Sequence, residues 1–206
     1  MATALATTPT EEIQASPYPI TSDLFEQMIA QGLFPSDSRV FLWGGRLYEK
    51  MAKTLPHAST HNAWNRALTR RIPDRMFVGN ENPVRLDEFH LPLPDMIVAK
   101  GEPFDFFDSR YPDGRDVLLV IEVAVSSLAA DLGPRLSLYA LTLPGATYLV
   151  ADVPHRRVLI HSDPSPNQKT GRGEYGTRVE VGPGESIRLK LGGVEIDPIP
   201  FEEVMR

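Results

Sequence analysis

Two acidic residues stand out by their surroundings. Asp95 follows Pro94 and precedes the apolar run Met96-Ile97-Val98-Ala99, and Glu122 is embedded in Val117-Leu118-Leu119-Val120-Ile121-Glu122-Val123. A continuous apolar run of that length, rich in β-branched residues, suits a strand buried on both faces. A carboxylate there is costly unless it is paired, protonated or bound to a cation. Either Glu122 lies at the strand's end beside solvent, or the strand exists to hold it in place. Each acid sits at one end of a predicted strand, so if the strands are neighbours the carboxylates converge. Two like charges that close raise one pKa sharply unless a cation sits between them. Mg²⁺ typically takes one or two carboxylates and keeps its waters. Such an ion can generate hydroxide and stabilise charge on a phosphoryl oxygen.

The elements that must position this pair can be read in order. Residues 1–17, rich in Ala, Thr and Pro, read as a disordered arm. Thr21 or Ser22 caps a short helix with Leu24, Phe25, Met28 and Ile29 on its apolar face and Gly32 past its end. The runs 39–43 and 46–51 around Gly44-Gly45 predict a β-hairpin. Pro56-His57 reads as a break. The spacing then predicts a helix over 59–71, with Ala63, Trp64, Ala67 and Leu68 inward and Arg66, Arg70 and Arg71 outward. Short strands follow at 76–79, 84–86 and 96–99. Residues 101–116 read as a long loop, of the kind that forms lids or insertions. After the 117–123 strand, a helix capped by Asp131 or a neighbour carries Leu132, Leu136, Tyr139, Ala140 and Leu143 at helical spacing, and Pro144-Gly145 stops it. A strand at 148–151 pairs with 157–161. Residues 162–173 read as a loop, and strands at 174–181, 186–191 and 194–196 form a C-terminal antiparallel extension. The strand-helix-strand unit from 117 to 151 predicts a parallel crossover. The fold class is α+β with an α/β-like core: a mixed sheet flanked by helices, one domain over 18–206.

The 206 residues are 42% hydrophobic and 23% charged, ordinary values for a globular chain with ample core. A net charge of -6 argues against a broadly basic nucleic-acid binder and leaves room for a local positive cleft. The chain has no cysteine, which excludes disulfides, thiolate metal sites and cysteine nucleophiles and fits a reducing, cytoplasmic setting. No apolar run approaches the ~18 residues of a spanning helix, so no membrane role is expected, and no signal peptide is visible.

The pattern Gly45-Arg46-Leu47-Tyr48-Glu49, His57, Leu93-Pro94-Asp95-Met96-Ile97-Val98, Leu119-Val120-Ile121-Glu122-Val123, Ser126-Ser127, Asp131, Arg135-Leu136-Ser137-Leu138-Tyr139-Ala140 and the run at 148–152 resembles the Uma-two-type restriction-endonuclease-like family of the PD-(D/E)XK nuclease superfamily. The resemblance spans roughly residues 20–190. It implies a restriction-endonuclease-like fold and Mg²⁺- or Mn²⁺-dependent phosphodiester hydrolysis by a metal-activated water. It also implies nucleic acid, most simply DNA, as partner, and a homodimer by analogy. The site it implies has Asp95 and Glu122 as metal ligands. Arg135 would contact the scissile phosphate and His57 a phosphate or a water, with Glu49 and Tyr139 as further candidates.

Two departures bear on activity. The superfamily lysine belongs two residues past the glutamate, where this chain has Ala124, and the helix position that often supplies it instead holds Arg135. Arginine can clamp a phosphate bidentately but cannot act as a base near neutral pH. The residues Arg66, Arg70, Arg71 and Arg75 offer a basic strip for a nucleic-acid backbone or simply a solvated face. Three functions follow: a metal-dependent nuclease, a catalytically degenerate nuclease fold used for binding or assembly, and a metal hydrolase of another phosphoester.

Overall fold

At the centre of the computed structural model, which describes residues 16–106 and 110–206, is a six-stranded sheet. The predicted arm lies, apart from residues 16 and 17, outside the described residues. The sheet strands are β3 (Met76–Asn80), β4 (Met96–Lys100), β5 (Val117–Ala124), β6 (Thr147–Asp152), β7 (Arg157–Asn167) and β8 (Arg172–Val181), paired in that order. β5 and β6 run parallel and the other neighbours antiparallel, so the expected mixed sheet and its parallel 117–151 unit are both present.

All eight residues of β5 are buried, because the strand is central and covered on both faces. Alternation divides it. Leu119, Ile121 and Val123 join a core with Trp64, Ala67 and Leu68 of α2 (Leu55–Thr69) and with the C-terminal Phe201 and Val204. Val120 and Ala124 join a second core with Tyr139, Leu143 and Tyr148. Glu122 has the parity of the second set.

The separate hairpin of β1 (Val40–Trp43) and β2 (Arg46–Glu49) turns through Gly44 and Gly45, both at positive φ, where side chains are disfavoured. Short α1 (Ser22–Ala30), capped by the Thr21 hydroxyl, seats Phe25 against Leu42 and Leu91.

Several expectations change. α2 begins at Leu55, not 59: Thr54 caps it and Pro56 falls in its first turn, where a missing N–H costs nothing. The predicted loop at 162–173 is hairpin, with β7 and β8 running on to Asn167 and Arg172 and only a tight turn between them. Residues 84–86 form a single bridge from Arg85 to Asp113 rather than a strand. The strand predicted at 186–191 is two two-residue strands with different partners, Ser186–Ile187 on Ile199–Pro200 and Lys190–Leu191 on Val194–Glu195. The loop at 101–116 contains a 3-10 turn, Pro103–Phe106. Arg71 is not an outward cation, since its guanidinium is bound bidentately by Glu203 at 2.7 and 2.9 Å.

Asp131 does not cap the helix after β5. α3 (Leu128–Ala130) starts after Ser127, a π-helical turn (Asp131–Arg135) with Gly133 out of helical geometry follows, and α4 (Leu136–Thr142) completes the segment. Pro134 and Gly133 together explain that kink. α4 lies on β8 so closely that a Cβ at Gly173 would overlap the backbone of Ser137 and Leu141.

Candidate active site

β4 and β5 pair Met96 with Ile121, and one step beyond that pair Asp95 and Glu122 lie side by side. The two residues are 2% and 3% exposed, so the energetics of both are those of buried charge. The Asp95 N–H lies 3.4 Å from Glu122 Oε2, a long hydrogen bond that ties the two directly.

Asp95 is surrounded by donors. Lys50, immediately after β2, donates to Oδ1 at 2.7 Å and to the Leu93 carbonyl at 2.8 Å. Oδ2 accepts from His57 Nε2 at 3.0 Å and from the Val123 N–H at 2.8 Å. His61, one turn further along α2, is 3.0 Å from the Asp95 carbonyl. Burial alone would push the Asp95 carboxyl up. The His57 hydrogen bond, the Lys50 ammonium and the Val123 N–H together hold it well below the usual carboxylate range.

Glu122 has the opposite condition. Burial pushes it up to about 7, against the pull of Arg135 and Lys50 and with the push of Asp95 and Asp131. Oε1 accepts from the Tyr139 hydroxyl at 3.2 Å, and Oε2 lies 3.8 Å from Arg135 Nη1. Arg135 is held at 2.6 Å by buried Asp131, whose other oxygen accepts from Ser127 at 2.6 Å. The π-helical turn sets Asp131 beside Arg135, and Arg135 faces Glu122.

Of the residues singled out in the sequence, Asp95, Glu122, Arg135, His57 and Tyr139 thus converge. Glu49 is exposed in β2. The neighbouring residue, Lys50, just past the end of the strand, reaches the site instead. Lys50, His61, Asp131 as the holder of Arg135, and the trio Arg39, Lys53 and Glu81 described below are additions that sequence reading missed.

The donor set suits a hard divalent cation. It consists of carboxylate oxygens, Asp95 Oδ1 accepts from Lys50 alone in the cluster, and Glu122 is at a pKa where added positive charge would ionise it. Among the described residues no group of three or more His, Cys, Asp or Glu side chains is arranged to hold a metal ion.

A mixed sheet that buries paired carboxylates on neighbouring central strands defines a nuclease-like fold. A family model described as "Uma2: Putative restriction endonuclease" matches residues 22–192, and the chain belongs to that family. The structure is also similar to the crystal structure of a "putative nuclease belonging to DUF820" from Anabaena variabilis, with a TM-score of 0.63 at 12% identity over 90% of this chain and 97% of the other. No curated protein matches the chain. No helix among the described residues is long and apolar enough to cross a membrane.

Proposed function

We propose that the chain is a Mg²⁺- or Mn²⁺-dependent endonuclease acting on DNA, with Asp95 and Glu122 as the residues that hold the ion. The observation that carries this reading is the unequal pair itself: one buried carboxylate kept ionised and one raised to about 7 directly beside it. Such a pair is expensive to fold around and is suited to a cation. When bound, the ion supplies activation of a water nucleophile and stabilisation of charge on a phosphoryl oxygen.

The chain's own groups do the rest. Lys50, His57 and the Val123 N–H keep Asp95 charged and fixed. Tyr139 orients Glu122 through Oε1. Arg135, aimed by Asp131, contacts the scissile phosphate and offsets its charge as the transition state forms. Arg135 is raised above its ordinary pKa by Glu122, Tyr139 and Asp131 in spite of burial, so it stays a cation and does not act as the base. A homodimer that presents two such sites to the two strands of DNA, in the cytoplasm, completes the reading on the family's class alone.

The test is cleavage of single- and double-stranded DNA and of RNA with Mg²⁺ or Mn²⁺, repeated with Asp95→Ala. Loss of cleavage in the variant is expected, and survival of cleavage would sink the site assignment. A folded wild type that cuts no nucleic acid, and whose Tm no divalent ion raises, would favour a binding or assembly role instead. Light scattering checks the dimer.

A further inference from the structure

Three cations meet beside the carboxylate pair. Arg39 precedes β1, Lys50 follows β2, Lys53 precedes α2, and all three contact a single oxygen, Oε1 of Glu81, just after β3. Lys50 and Lys53 are each 3.5 Å from that oxygen, and Arg39 Nη2 bonds it directly. Glu81 is a non-glycine residue in the left-handed region, at φ 52°, and its N–H donates to the Asp95 carbonyl at 3.1 Å, so its position is tied to the site.

The arrangement is unbalanced in two ways. Three positive groups face two negative ones, Glu81 and the Asp95 that shares Lys50, in a chain of net charge -6. Donors are also in excess: Arg39 Nε is buried without a hydrogen-bond partner, although Nη1 donates to the Met51 carbonyl at 2.9 Å. One oxygen of the Glu81 carboxylate serves all three cations, and the two non-bridging oxygens that share a phosphodiester's single charge match a guanidinium bidentately.

Building on the nuclease reading above, we propose that Arg39, Lys50 and Lys53 form a subsite for a backbone phosphate of nucleic acid, and that the Glu81 carboxylate occupies it until that phosphate displaces it. Arg39 and Lys53 then turn from Glu81 to the phosphate, while Lys50 retains Asp95. The subsite meets the site at Lys50 on Asp95 and Arg135 meets it at Glu122, so it holds a phosphate other than the one cut.

The experiment is fluorescence anisotropy of a fluorescein-labelled DNA oligonucleotide with the full chain in EDTA, across a salt series. Glu81→Gln should bind roughly three- to tenfold tighter, with a steeper salt dependence because more phosphate charge is neutralised. Lys53→Met should bind weaker with a shallower slope. Equal or weaker binding by Glu81→Gln overturns the subsite. If that variant does not fold, Lys53→Met decides, and an unchanged affinity and slope overturn it. Cleavage with Mg²⁺ is measured separately. Tightened binding by Glu81→Gln without any cleavage by the wild type sinks the nuclease reading and leaves the subsite standing. Cleavage by the wild type with unchanged binding by Glu81→Gln does the reverse.

Discussion

The Asp95 and Glu122 sides of the site share one sheet and one water-poor environment, yet they treat a carboxylate in opposite ways. On the Asp95 side, Lys50 just past β2, His57 of α2 and the Val123 N–H of β5 deliver three donors to the carboxylate, and it is held ionised. On the Glu122 side, Arg135 is shared with Asp131 and stops at 3.8 Å, so burial wins and the acid rises to about 7. Depth does not decide which acid stays charged, since both are nearly fully buried. The number of donors that come within close hydrogen-bond reach decides it: three at 2.7–3.0 Å on Asp95, against contacts of 3.2 Å and longer on Glu122.

The largest effects should come from removing each charge in turn. Asp95→Asn and Glu122→Gln are both expected to lower cleavage by roughly a thousandfold or more. Their stabilities should part. Asp95→Asn leaves Lys50 without its buried partner and costs about 3 kcal/mol, whereas Glu122→Gln removes an unfavourable buried charge and stabilises at pH 8. Urea denaturation of both variants checks this, and equal destabilisation by the two would erase the contrast.

The next effect is in pH. Glu122 has a folded pKa above its unfolded value of 4.5, so its unfavourable contribution is absent below about 4.5 and grows as pH rises to about 7, on the order of 3 kcal/mol in all. Asp95 has a depressed folded pKa, so its stabilising contribution is present above the ordinary carboxylate range and lost as pH falls below it. The difference between wild type and Glu122→Gln should therefore slope between pH 4.5 and 7 and be flat below. A divalent ion, which needs Glu122 ionised, should raise Tm more at pH 8 than at pH 6. A metal-induced shift independent of pH would disprove the assignment of Glu122.

Arg135 offers a third, smaller lever. Arg135→Met should cost roughly a hundredfold in cleavage and push Glu122 higher, visible as a shift of the acidic limb of the pH–rate profile to higher pH. Arg135→Lys should keep more of the activity, because a cation beside Glu122 remains. The smallest effect expected is from Tyr139→Phe, which deletes one hydrogen bond of 3.2 Å to Glu122. It should cost about 1 kcal/mol and a few-fold in rate, and a loss as large as that of Arg135→Met would mean that the hydroxyl has a chemical role.

The 117–123 strand, the strand after Pro94 and the inward helix face were legible because apolar runs and 3.6-residue spacing report burial directly. The strand ends showed only that Asp95 and Glu122 would converge if their strands were neighbours, and the β4–β5 pairing supplies that condition. Lys50 was harder, since its partner lies 45 positions away and nothing local marks it as inward. Glu81 was invisible for a related reason: its partners come from three separate segments, and a charged residue in a polar turn looks like any other. The 162–173 stretch misled because prolines and polar residues read as loop, whereas a long hairpin extending past the sheet needs no apolar partner on its outer face.

Gly173 gives that hairpin a second significance. The β8 backbone there touches the backbone of α4 with no side chain between them, and α4 carries Tyr139 towards Glu122. The separation of helix and sheet is thus fixed at backbone contact, like a bearing surface machined without a shim. A single methyl inserted at 173 would lift the helix and, with it, the hydroxyl that meets the glutamate. The acidity of Glu122 is in this way adjustable from a residue that carries no charge, touches no member of the site and would pass, in a list of substitutions, for a change in a turn.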